Sequence, residues 1–246
     1  MELLIIFAIG FVASFFGSFT SSGASLLSFA FLGMYGLSPF AILGIFKVGA
    51  VGFQLGGLYN YAKADKIVWR YVLPLTIIGV AGSYVGANIV LSLNEIVLSK
   101  IIGIAMFLCV PFSLLKPTLG IQNVQVSNIK ERVGYVMSFV TSIWGSSLVV
   151  GAGLLNMYSQ MYFFGMTILE VRGTTKIPGL ITSVVVLWLF IKADIINWHL
   201  ALIFLCGTFL GSLVGTHYSV KIGDTWLRYI LLVSVLIVSV KLIFGL

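Results

Sequence analysis

Long apolar segments separated by short polar joints make up nearly the whole chain, and the lengths of those segments predict its architecture. Residues 39–61, 68–91, 168–190, 198–220 and 226–244 each reach the roughly 18 apolar residues that predict a membrane-crossing helix. A further apolar segment follows Asn94 and Glu95 and ends near Pro111 to Pro117. Two others, 3–35 and 134–164, pose a length problem. As one helix rising about 1.5 Å per residue, the first would measure about 50 Å against about 30 Å of hydrocarbon. Both contain a run of small and hydroxyl-bearing residues, Gly17-Ser18-Phe19-Thr20-Ser21-Ser22-Gly23-Ala24-Ser25 and Trp144-Gly145-Ser146-Ser147 through Gly151-Ala152-Gly153. Irregular backbone at membrane depth survives only where protein buries it or water reaches it. Each run therefore predicts two short helices meeting near the midplane, as a re-entrant hairpin or a broken span.

The pattern occurs twice. An offset of 129 residues carries Lys47 onto Lys176, and the same offset pairs Gly44 with Gly173, Asp65 with Asp194, Trp69 with Trp198 and Gly82-Ser83 with Gly211-Ser212. Upstream the register shifts by one, pairing Gly17-Ser18 with Gly145-Ser146. Such agreement predicts a tandem duplication. The expected fold is an all-α polytopic membrane protein of two homologous halves, 1–117 and 133–246, joined by a polar linker at 118–132. Each half is a broken or re-entrant element plus three transmembrane helices. The loop after the second span carries Lys63, Lys66 and Arg70 in the first half but only Lys192 in the second. After the third span the bias reverses, from Lys100 to Lys221 and Arg228. Opposite biases in equivalent loops favour inverted halves.

Composition sharpens the class: of 246 residues, 60% are hydrophobic and 9% charged, far from the make-up of a soluble domain. The net charge of +7 comes from basic residues placed singly at the ends of apolar segments, which reads as membrane topology rather than a nucleic-acid surface. Met1 to Phe16 has Glu2 where a signal peptide would be basic, so it is expected to be retained. Cys109 and Cys206 stand apart in different halves and read as packing residues, and no metal-ligand spacing or cofactor motif is present.

Charged side chains at membrane depth cost at least about 2.5 kcal/mol near the centre of a span and usually face a cavity or ion path. Lys47 and Lys176 each lie about eight residues into their spans. Snorkelling would place them at the headgroups, but their matched positions, and the hydroxyls of Thr174 and Thr175 beside Lys176, favour a shared anion site. Ser21, Ser22, Ser25, Ser146 and Ser147 in the breaks, with Gln54 and Asn156, are candidate hydrogen-bonding partners for the same anion. Helix N-termini at the breaks would add N–H groups and partial positive charge. Glu170 and Arg172, at the start of their span, read either as an interfacial ion pair or as a gating and coupling pair. Asp65 and Asp194 belong to repeated Lys-Ala-Asp turns.

These residues resemble the TauE/SafE family of sulfite-exporter-like membrane transporters. The resemblance covers nearly the whole chain and rests on four features. They are the small-residue breaks, Gly-Thr-Thr-Lys at 173–176, Lys-Ala-Asp-x-Ile-x-Trp at 63–69 and 192–198, and Gly-Ser-x-Val-Gly at 82–86 and 211–215. It implies ATP-independent movement of sulfite, sulfoacetate or another sulfonate across a prokaryotic inner membrane, with a small carboxylate as an alternative substrate. Thr20-Ser21-Ser22 replace some of the family's usual glycines, and Phe46 stands where the second copy has Thr175.

The leading expectation is a secondary transporter that alternates access around a site between the halves, with protons as the candidate coupling ion. An anion channel is the alternative transport class. An intramembrane serine enzyme is disfavoured, because a serine nucleophile needs a base within hydrogen-bond reach and only His199 and His217 are available.

Overall fold

A computed structural model describes residues 2–20, 23–94, 97–98, 120–147 and 151–244, the stretch beyond 222 as backbone alone. Among these residues every regular element is an α-helix. In chain order they are α1 (Glu2–Gly17), α2 (Gly23–Met34), α3 (Pro39–Lys63), α4 (Trp69–Leu91), α5 (Asn128–Ser147), α6 (Ala152–Phe164), α7 (Ile168–Thr174), α8 (Lys176–Lys192) and α9 (Trp198–Phe244). The helices α3, α4 and the Trp198–Ile222 part of α9 are long and apolar enough to cross a membrane, and α7 with α8, bent by 42° at their junction, are so when taken together. The last predicted span of the first half, with Lys100 and Cys109, lies outside the described residues, as do Ser21 and Ser22.

The two breaks form where the pattern of small residues predicts them, between α1 and α2 and between α5 and α6. Both elements fold back as hairpins. The phenol of Tyr35, just past α2, comes up beside the Glu2 carboxylate at the start of α1. The ring of Phe164, which ends α6, lies 5.1 Å from that of Tyr135 near the start of α5. Each element therefore enters and leaves on one side. Residues 128–132, the end of the predicted polar linker, form the first turns of α5.

Helix boundaries follow local chemistry. Ser38 caps α3, its hydroxyl accepting from Ala41 N–H, and Pro39 begins the helix where a missing N–H costs nothing. Asp65 and Asp194 adopt left-handed φ values of 53° and 51°, as short polar side chains in such turns do. At 220–226 the pattern predicts a joint, but α9 runs on from Trp198 to Phe244. The local residues Lys221-Ile222-Gly223-Asp224-Thr225 contain no proline to end it.

The second crossing breaks at Thr175, whereas α3 is continuous. Pro178 supplies the reason. It has no N–H for the Thr174 carbonyl, and its ring would collide with that carbonyl in a straight helix. The residue at the matched position in α3 is Gly49, which imposes neither restriction.

Lipid is as apolar as leucine, so helices associate in it through close packing rather than through burial from water. Here α1 and α3 pack on α9, α4 packs on α5 and α8, and α3 meets α8 between these two bundles. Each bundle thus combines elements from both halves of the sequence. A Cβ on Gly44 would stand 2.8 Å from the Ile195 carbonyl oxygen, and Gly173 lies still more tightly on the Lys66 carbonyl. The start of each crossing therefore touches the turn that ends the other, so α3 and the α7–α8 crossing run antiparallel. Two apolar clusters flank the space between the bundles, one around Leu43, Ile45, Phe190 and Phe204, the other around Tyr61, Tyr71, Phe164 and Ile168.

Candidate functional site

A cavity of about 320 Å³ lies where the two hairpin breaks meet α3, α4, α8 and α9. Lys47, Arg172 and Lys176 all line it, with exposures of only 7%, 9% and 4%. No aspartate or glutamate is among the lining residues. The one ion pair among the described residues, Arg70 to Glu131 at 2.8 Å, lies elsewhere, between the starts of α4 and α5.

Each of the three basic groups reaches across to a backbone carbonyl of a distant element. The Lys47 amine donates to the Gly145 carbonyl at 3.0 Å, in the last turn of α5. Nη1 of Arg172 donates to the carbonyl of Ser18, one residue past α1. The last carbonyls of a helix lack intrahelical partners and carry partial negative charge, so basic groups are favourable there. The Lys176 amine donates to the Phe53 carbonyl at 3.2 Å and lies 3.7 Å from the centre of the Phe53 ring. The ring's negative face attracts the cation, and the aliphatic end of Lys176 rests against Gly57. Both lysines point inward to protein rather than outward to headgroups.

Among the other candidates, Ser25, Ser146, Thr175, Gln54 and Asn156 also line the cavity. The Asn156 side-chain oxygen accepts from the Gln160 amide at 3.0 Å. Thr174 and Ser147 lie outside the lining. The Thr174 hydroxyl accepts from Val68 N–H at 2.9 Å, tying α7 to the turn after α3, and the Ser147 hydroxyl donates to the Ile143 carbonyl at 2.8 Å. Glu170 is likewise outside. Its carboxylate accepts from the Thr167 backbone N–H at 2.8 Å, completing a capping box, and from Asn123 at 2.9 Å. The arrangement separates Glu170 from Arg172: one starts a helix, the other enters the cavity. Neither His199 nor His217 lines it.

Sequence reasoning named Ser146 but missed the hydroxyl stripe on α5 to which it belongs, in which Ser138, Thr141 and Ser142 also line the cavity. Their spacing of three and four residues is the signature of one helical face, and it was available in the sequence. Ser14, Ser18 and Ser28 extend the same lining from the first hairpin. Several of these hydroxyls bond carbonyls of their own helix, as Ser142 does to Ser138 at 2.7 Å and Ser18 to Ser14 at 2.8 Å.

The chain is 22% identical to the probable membrane transporter protein YfcA of Escherichia coli, with 98% of this chain and 89% of that protein aligned. It is 21% identical to a probable membrane transporter protein of Haemophilus influenzae, over 98% and 94% of the two chains. A third relative, the probable membrane transporter protein ORF9 of a Sinorhizobium species, is 22% identical over 98% and 92%. No solved structure matches the chain. The family model described as sulfite exporter TauE/SafE matches residues 6–242, almost the full length of an apolar helical chain with a basic cavity at its centre, and the protein belongs to that family of membrane transporters.

Proposed function

We propose that this protein is a secondary transporter of a small organosulfur anion such as sulfite, sulfoacetate or another sulfonate. Access alternates as the two bundles move against each other around the cavity. The observation that carries the reading is the charge of the lining: three buried basic side chains and, among the described residues, no carboxylate. Burying one charge without a counter-ion is costly, so three in one chamber call for a negatively charged guest. The cavity's volume, about 320 Å³, suits a solute of a few heavy atoms. The family match supports sulfur oxyanions as the substrate class. Multi-pass residence in a prokaryotic inner membrane and coupling to protons belong to the same proposal.

The test is uptake of radiolabelled sulfite into proteoliposomes containing the full chain, with and without a pH gradient. Uptake that saturates and accelerates with the gradient is expected. Uptake no faster than into empty liposomes overturns the function, and unchanged uptake by Lys47→Ala plus Lys176→Ala overturns the site.

A further inference from the structure

Of the polar groups in the cavity, the Arg172 guanidinium combines a fixed orientation with unused donors. Nη1 is committed to the Ser18 carbonyl, which fixes the plane of the group. Nε and Nη2 are buried and have no hydrogen-bond partner. These two nitrogens form one edge of the guanidinium, with their N–H bonds side by side, the geometry that grips two oxygens of a single oxyanion. Glu170, two residues earlier, lies outside the cavity and is occupied in the capping box, and among the described residues no carboxylate lines the cavity, so no internal acid is in place to take that edge.

The neighbouring donors differ. The hydroxyls of Thr175 and Ser183 donate to the carbonyls of Val171 and Gly179, each at 2.7 Å. Lys47 and Lys176 retain spare N–H bonds, but an ammonium is a rotating point charge that fixes no plane. Leaving two buried donors of a charged group unpaired costs far more than leaving them exposed to water, so this edge is a site awaiting its acceptor.

Building on the anion-transport reading, we infer that Arg172 is the residue that selects the substrate's head group. Its Nε–Nη2 edge takes two oxygens of one sulfonate, sulfite or carboxylate head, and so favours forked oxyanions over single-atom anions of equal charge. The sequence alone reads Arg172 with Glu170 as an interfacial ion pair or as a gating and coupling pair, roles in which shape selectivity plays no part.

The experiment compares methanesulfonate with bromide, two monovalent anions that differ in having a fork of oxygens. Binding to the purified full-length protein in detergent is measured by calorimetry for the intact chain and for Arg172→Lys, which keeps the positive charge and a donor for Ser18 but removes the edge. The intact protein is expected to prefer methanesulfonate, and the substitution to lower that preference by about 10- to 100-fold. An unchanged preference, or equal weakening of both anions, overturns the inference while leaving anion transport standing. Binding of neither anion by the intact protein removes the transport reading and this inference with it. A second measurement needs no substitution. Phenylglyoxal modification of Arg172 in the intact protein, followed by peptide mass, is expected to slow with methanesulfonate but not with bromide, and equal rates with both overturn the inference even if the lysine variant does not fold.

Discussion

The crossing that contains Lys47 and the crossing that contains Lys176 occupy matched places in the sequence, yet they handle their cations differently. In the first, α3 is unbroken and Lys47 itself caps the end of the opposite hairpin helix at Gly145. In the second, Arg172 caps the opposite hairpin at Ser18 and Lys176 turns to the Phe53 carbonyl and ring. The residue matched to Arg172 in the first half is Leu43, which is fully buried in an apolar cluster. The first crossing thus gives a single cation to the helix end, while the second supplies two, one on each side of the break at Thr175. The two crossings share the placing of their lysines and of the turns that follow, yet differ at Leu43/Arg172 and Gly49/Pro178, so the charge they bring to the cavity is uneven.

Neutralising each lysine separately is expected to divide the two crossings most sharply. Lys176 can leave the Phe53 carbonyl without orphaning it, because Ser212 donates to the same oxygen at 2.7 Å. Lys47 would have to abandon the Gly145 carbonyl. Lys176→Met should therefore weaken half-saturation by sulfite about 10-fold or more, against about 3-fold for Lys47→Met, on the scale of a charged hydrogen bond. Equal losses in a proteoliposome uptake series would erase the proposed asymmetry.

A smaller effect is expected at the bend. Pro178→Ala restores an N–H for the Thr174 carbonyl and favours a straighter crossing, which shifts Lys176 from the Phe53 ring. Uptake should fall several-fold while thermal stability in detergent rises by about 1 kcal/mol, a fraction of the roughly 3 kcal/mol that an interior proline costs. Full uptake with a straightened helix would show that the bend has no part in positioning Lys176.

The smallest effects test what the halves share. Asp65→Gly and Asp194→Gly relieve the same left-handed strain in both turns, and each should change stability by about 1 kcal/mol or less, in the same direction. Opposite signs in thermal unfolding would mean that the two turns are not equivalent.

Much of this was legible in the chain itself. Hydropathy located α3, α4, the α7–α8 pair and the first part of α9, though not the run of α9 through 220–226; the Gly-Ser runs located both breaks, and Ser38-Pro39 marked a helix start. The depth of Lys47 and Lys176 in their segments marks them as candidates, and both line the cavity. The role of Glu170 was harder to read, because an acid two residues before an arginine suggests a pair until Thr167 is seen to engage it as a cap. The choice between hairpin and broken span depended on Tyr35 reaching Glu2, a contact between the far ends of one element.

Alone, the sequence determined the membrane class, the helical segments, their breaks and the matched turns, because each depends on the solvation and backbone preferences of residues within a few positions of one another. Only the tertiary structure decided which carbonyl each cation meets, since the partners lie 98, 154 and 123 residues away for Lys47, Arg172 and Lys176. It also decided that each bundle joins elements of both halves, and that one edge of Arg172 stays open. Those outcomes follow from where packed helices bring distant carbonyls, and no local preference encodes them.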